Sequence, residues 1–208
     1  MGLRVNDLAV GVARACAAMS NLEQVLNRAD SKLGDGDTGS MLVRVLDRMA
    51  AVDLKTEDDL GEAFKLLAYA VVAETGSSLG TLFGTALLAV GKATQGQSEL
   101  DWPALSGLFG TARDTMMVRG RASLGDKTIL DGLDAIATTT EGLDTAEAIA
   151  EAAMRSTRDA LGRFVGQPCR IGRARMFEEK STQLDDPGML ALTLLAEAIA
   201  GKSPVAGG

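Results

Sequence analysis

"VNDLAVGVARACAAMSNLEQVLNRADSKLGDGDTGSMLVRVLDRM", residues 5–49, decides the fold. Val5, Leu8, Val12, Cys16 and Met19, and later Val25 and Leu26, recur at intervals of three and four, the period of one helix face. The pattern predicts a long first helix with Asn6 or Asp7 as its cap. It breaks at a run of glycine and aspartate, then resumes with Met41, Leu42, Val45, Leu46 and Met49 as a second helix. Two apolar-faced helices joined by a short polar turn are antiparallel neighbours. Three carboxylates, Asp30, Asp35 and Asp37, crowd into that turn.

The same reading extends outward along the chain. A third helix is expected over about residues 57–73, behind the capping-box pattern that starts at Thr56. Leu79, Leu82, Phe83, Ala86, Leu87 and Val90 mark a fourth, where Gly76, Gly80 and Gly84 clear one face for a neighbour or ligand. Asp101 as cap and Pro103 in the first turn open a fifth. A sixth covers about 128–138, a seventh 145–161, and an eighth begins at Asp186 and Pro187. Strand signals are weak, because no alternating run is bounded by hairpin turns. The expectation is an all-α protein: an eight-helix antiparallel up-and-down barrel or bundle. It forms one domain over residues 1–208, with a flexible tail from about 201 to 208. One segment escapes the helical period: residues 162–185 carry Arg163, Arg170, Arg173 and Arg175 in an otherwise acidic chain. Loops of that length are functional or disordered.

Composition narrows the function. Of 208 residues 46% are apolar and only 3% aromatic, enough for one helical core. A net charge of -7 without a basic run argues against nucleic acid as a partner. No apolar run of membrane-spanning length and no leader-like start occur, so no membrane partner and a cytoplasmic location are expected. Cys16 and Cys169 lie far apart and read as buried thiols of a reducing compartment. Histidine is absent, which excludes a Ser-His-Asp triad, a histidine-ligated metal and a phosphohistidine relay within the chain.

Asp30, Asp35 and Asp37 admit several readings. Aspartate and glycine dominate solvated turns. An EF-hand calcium loop would need glutamate at its twelfth position, where "DSKLGDGDTGSM" has Met41. A phosphatase-type Asp-x-Asp-x-Thr nucleophile would follow an apolar strand, whereas "NRADSKLG" is polar. The remaining reading is Mg²⁺ serving a phosphate, since hard oxygen ligands suit magnesium and the next helix offers free N–H groups to anions. No P-loop signature occurs, so metal ions and glycine turns would have to hold any nucleotide. Three further glycine-rich helix entrances support this, in "GSSLGTLFG", "RGRASLGDKTILDGL" and "GRARMFEEKSTQLDDPG".

With "ADSKLGDGDTGS", "SSLGTLFGT", "GRASLGDKTILDGL" and "GRARMFEEKSTQLDDPGMLAL" in this order, the chain resembles the L subunit, or nucleotide-binding domain, of dihydroxyacetone kinases. The resemblance implies an eight-helix antiparallel barrel that binds ADP or ATP through two Mg²⁺ ions at one end. It makes Asp30, Asp35 and Asp37 the metal ligands. Thr38, Gly39, Ser40 and Met41 become the segment that contacts phosphates, and Ser78, Leu79, Gly120, Ile129, Asp186, Pro187 and Gly188 further nucleotide contacts. Thr38 stands where the family usually carries histidine. Arg173 matches the arginine of the family's "GRASY" segment, a contact to the nucleotide and the candidate for charge stabilisation during transfer.

By the same resemblance the triose sits on a partner, a dihydroxyacetone-binding K subunit. The phosphoryl group comes either from exchangeable ATP or from bound ADP recharged by a phosphotransferase-system protein. A homodimer is also open. The other functional class is an ADP-binding regulatory protein that contacts a transcription factor without catalysis.

Overall fold

The computed structural model describes residues 2–201, and its regular secondary structure is almost wholly helical. Nine helices are present among them: α1 (Val5–Asp30), α2 (Thr38–Ala50), α3 (Leu60–Glu74), α4 (Ser78–Ala93), α5 (Leu105–Gly120), α6 (Ile129–Thr139), α7 (Ala146–Arg163), α8 (Glu178–Ser181) and α9 (Pro187–Ile199). The expected tail falls almost entirely on residues 202–208, outside the described residues.

Each long helix packs on the next in sequence, α7 packs on α9, and α9 returns to α1. This closes a ring of eight: the antiparallel bundle that the helical pattern predicts, in the barrel form that the resemblance implies. Helix α1, about 39 Å long at 1.5 Å per residue, supplies Ala15, Met19, Leu22 and Leu26 to the main core. Leu42, Val45, Leu46 and Met49 of α2 join it, as do Phe64, Leu67 and Val71 of α3. Burial of this continuous apolar face is the main favourable term for the fold.

Alternating helix direction sorts the connections into two sets. Residues 31–37, 75–77, 121–128 and 164–186 follow α1, α3, α5 and α7, so all four lie at one end of the ring. There they introduce the N-termini of α2, α4, α6 and α9. The four quoted motifs are therefore neighbours because of topology, although the first ends at Ser40 and the last begins only at Gly172.

Several boundaries differ from expectation. Helix α1 starts behind Arg4; Asp7 sits in the first turn, where its carboxylate accepts the Arg4 N–H at 2.9 Å. Helix α3 starts at Leu60, because Asp59 accepts the N–H groups of Gly61 and Glu62 and so fixes the cap three residues later than the Thr56 pattern implies. A 3₁₀ turn, Trp102–Ala104, precedes α5 behind Asp101. Two short antiparallel strands occur, β1 (Gly2–Leu3) and β2 (Leu100–Asp101). Of the three spaced glycines, Gly84 abuts Val72 of α3, and Gly80 abuts Thr75 in the turn before its own helix. Their open face thus serves protein packing, and Gly76 lies outside the helix.

Candidate functional site

The site end begins with the last turn of α1. Asp30 is buried at the end of an apolar face, and its Oδ2 accepts the backbone N–H groups of Asp37 (2.9 Å) and Thr38 (3.2 Å). Those two bonds fold residues 31–37 back over the helix end. Gly36 makes the reversal with φ of +79°, a conformation that costs a side-chain-bearing residue. The turn brings carboxylate oxygens of Asp30, Asp35 and Asp37 within 4.8 Å of one another, with Asp30 buried and the other two exposed.

Asp37 occupies the N-cap of α2 yet makes no side-chain capping bond. By contrast Ser77, Thr128 and Asp186 all spend a side-chain oxygen capping α4, α6 and α9. The first N–H groups of α2 are met instead by Asp30, which accepts that of Thr38, and by Asn27, which accepts that of Ser40, so the Asp37 carboxylate is left to another partner. Three clustered carboxylates repel one another without a cation, and an all-oxygen donor set fits a hard divalent ion such as Mg²⁺. The residues present fit that ion.

Helix α2 is seated against α1 with almost no clearance. A Cβ on Gly39 would lie 2.1 Å from the Glu23 carbonyl oxygen. Ser40 N–H donates to Asn27 Oδ1 (3.1 Å), Asn27 Nδ2 donates to Ser40 Oγ (2.9 Å), and Ser40 Oγ donates to Glu23 Oε1 (2.8 Å). Thr38 and Gly39 are buried, and the Met41 side chain points into the core, leaving only its backbone near the turn. Glu23 and Asn27 escaped the sequence reading. Their signal was present: with Asp30 they form a polar 23, 27, 30 stripe along a helix face that is otherwise apolar.

The other motif residues lie at the same end of the ring. Arg173 opens a 3₁₀ turn (Arg173–Phe177), and its guanidinium pairs with the Asp35 carboxylate. Ser77 Oγ accepts the Gly80 N–H, whereas the exposed Ser78 hydroxyl has no partner among the described residues. Leu79 packs against the main core. Gly120 ends α5 against Leu82 of α4. Ile129 starts α6 and touches Gly188, which follows buried Pro187 at the start of α9. The segment 168–178 also borders a cleft of about 670 Å³ lined by Pro168, Cys169, Arg170, Arg175, Met176 and Glu178, with none of the three aspartates in its wall.

Two titratable groups behind the site are strongly perturbed. Burial pushes the Cys169 thiol up to about 11, so it is protonated at neutral pH and no nucleophile. Cys16, expected to be buried, is only partly so and donates to Asp47 Oδ1 at 3.2 Å. Burial also pushes the Asp186 carboxyl up to about 6, against the N–H groups of Met189 and Gly188 and the charge of Lys127, which pull it down; Asp131 adds to the rise. Between about pH 4 and pH 6 the folded chain therefore keeps a proton that the unfolded chain has released. Stability from the neutral acid is complete below about pH 4 and falls as pH rises to 6, by on the order of 1–3 kcal/mol. Asp186→Asn retains an oxygen for the Met189 N–H, so it should flatten this slope in thermal melts. An unchanged slope would assign the titration to another group.

Comparison with known proteins fits this arrangement. A protein family described as the DAK2 domain matches residues 32–201. The "PEP-dependent dihydroxyacetone kinase 1, ADP-binding subunit DhaL" of Listeria innocua is 29% identical over 178 residues, covering 85% of this chain and 86% of that one. The corresponding "ADP-binding subunit DhaL" of Escherichia coli is 26% identical over 215 residues, covering 96% and 98%. A crystal structure of the dihydroxyacetone kinase from C. freundii in complex with AMP-PNP and Mg²⁺ superposes with a TM-score of 0.73 at 24% identity. That likeness covers 97% of this chain and 34% of the larger one, and it establishes the fold.

Proposed function

The chain belongs to the DAK2-domain family, and we propose that it is the nucleotide- and Mg²⁺-binding subunit of a kinase for dihydroxyacetone or a related short keto-sugar. One observation carries the proposal: the convergence of Asp30, Asp35 and Asp37 within 4.8 Å at the start of α2, with the Asp37 side chain withheld from capping. The relatives' names, which specify an ADP-binding subunit of a dihydroxyacetone kinase, point the same way.

Phosphoryl transfer depends on placement and charge neutralisation more than on covalent help. Asp30, Asp35 and Asp37 would hold Mg²⁺, two ions by resemblance, which would supply neutralisation of phosphate charge there. Asp30 fixes the turn through its two N–H bonds. The N–H groups of Thr38 and Ser40 at the start of α2 are taken by Asp30 and Asn27, so it is the positive end of the helix dipole, not a set of open donors, that favours anionic oxygens there. The Ser78 hydroxyl, at the first position of α4, remains available to a nucleotide. Arg173, paired with Asp35, supplies positive charge at the carboxylate cluster. Nucleotide is ADP or ATP; the sugar is held on a partner K subunit, and a phosphotransferase-system protein is the donor if ADP stays bound. Thr38 is buried and offers its N–H to Asp30, so the usual histidine is replaced by a residue that packs.

Reconstitution with a dihydroxyacetone-binding K subunit tests this reading. Phosphorylated triose should form with Mg²⁺ and nucleotide, and Arg173→Ala should slow turnover by about tenfold or more, the scale of one exposed charge-assisted contact. Unchanged turnover would remove Arg173 from the chemistry, and no product under any donor would remove the kinase reading.

A further inference from the structure

Lys127 is the least expected residue of the site end. It is 2% exposed and has a left-handed backbone with φ of +59°, rare for a residue with a side chain. Buried lysines are uncommon and need partners for the ammonium. Here Nζ donates to two backbone carbonyls, Gln167 O at 2.9 Å and Ser181 O at 2.8 Å. These acceptors lie 40 and 54 residues away in sequence, at the two ends of the arginine-bearing segment.

The surrounding bonds complete a closed base. Gly166 N–H donates to Thr182 O (2.9 Å), Cys169 N–H to Ser181 Oγ (2.9 Å), and Arg170 N–H to Asp126 O (3.0 Å). Beyond this base, residues 170–180 are exposed except for Ile171 and Ala174, and they include Arg173 at the carboxylate cluster. Only a small apolar cluster of Leu33, Cys169, Ala174 and Leu184 supports the segment from below.

We propose that Lys127 is a positioning residue: its ammonium clamps both ends of the 167–181 segment and thereby holds Arg173 over Asp30, Asp35 and Asp37. Three donors on one compact cation suit two carbonyls approaching from different directions. The strained backbone at Lys127 is tolerated because these bonds define its place. The relevance of the clamp to nucleotide binding rests on the function proposed above, whereas the clamp itself is measurable without nucleotide.

The test compares wild type, Lys127→Met and Lys127→Arg as full-length, nucleotide-free protein by hydrogen exchange and limited trypsin digestion. In Lys127→Met, exchange across 166–182 and cleavage after Arg170, Arg173 and Arg175 should accelerate about tenfold or more, with α1 and α3 unchanged. Lys127→Arg, which keeps the charge and donors, should recover part of the protection. A residue that merely fills space would give no local acceleration, or would loosen α1 and α3 equally; either result overturns the proposal. Wild-type labelling decides the matter if Lys127→Met does not fold. Lys127 should then react with an amine reagent only as fast as the 166–182 amides open, and labelling as rapid as at exposed Lys92 overturns the clamp. Should wild type bind no Mg·ADP, the proposed function fails while exchange still judges the clamp.

Discussion

Asp37→Asn should weaken Mg·ADP binding by more than about 100-fold while leaving the melting temperature within about 2 °C of wild type. The two effects separate because the Asp37 carboxylate makes no capping bond, so the fold loses nothing that the structure shows. Asparagine is as good an N-cap as aspartate, and the backbone N–H of residue 37 still reaches Asp30 Oδ2. Replacing one of three clustered carboxylates also relieves repulsion in the metal-free chain. Asp30→Asn is a less clean variant, since its buried Oδ2 accepts two N–H groups that fix the turn. Calorimetric titration beside a thermal melt reads both quantities. Full affinity in Asp37→Asn would dissolve the metal-centre assignment.

Gly39→Ala should be among the most destabilising single-methyl changes in the chain. The added carbon would sit 2.1 Å from the Glu23 carbonyl and 2.8 Å from Asn27 Oδ1. The first obstacle is helix backbone, which cannot swing aside as a side chain can. Helix α2 must retreat from α1, and the Ser40 bonds to Asn27 and Glu23 stretch with it. Overpacking and the lost bonds together cost about 2–4 kcal/mol, or a fall in melting temperature of about 4–16 °C for a chain of this size. Mg·ADP affinity should fall as well, because Asp37 moves with the helix. Gly162→Ala is the control: a Cβ there meets nothing within 4 Å, so the melt should hold or rise slightly. An unshifted melt for Gly39→Ala would mean that the helix pair is looser than described.

Most of the architecture was legible because its signal is periodic. The apolar repeats of α1, α2 and α4 survive any reading of their ends, and short connections dictate antiparallel neighbours. Helix starts were less legible. Asp7 in the first turn and Asp7 as cap leave the same letters, and only the Arg4 N–H bond distinguishes them. Residues 173–181 gave no helical period because a 3₁₀ turn and a four-residue helix are too short to show one.

The site divides in the same way. Three aspartates between glycines advertise themselves, and their convergence follows from a turn that one sequence window contains. Lys127 did not, because its partners are carbonyls, which carry no residue identity, and they lie 40 and 54 positions away. The side chain of Ser77 is committed to the α4 cap and that of Ser78 is not, a distinction that depends on where the helix begins.

The central claim is that Asp30, Asp35 and Asp37 hold nucleotide through a divalent cation. Titration of ADP into the full-length protein, once with Mg²⁺ and once with EDTA, tests it most directly. The account predicts saturable binding with Mg²⁺ and affinity lower by about 100-fold or more in EDTA, since without the cation the three carboxylates would repel the phosphates. Equal affinity under both conditions would contradict it.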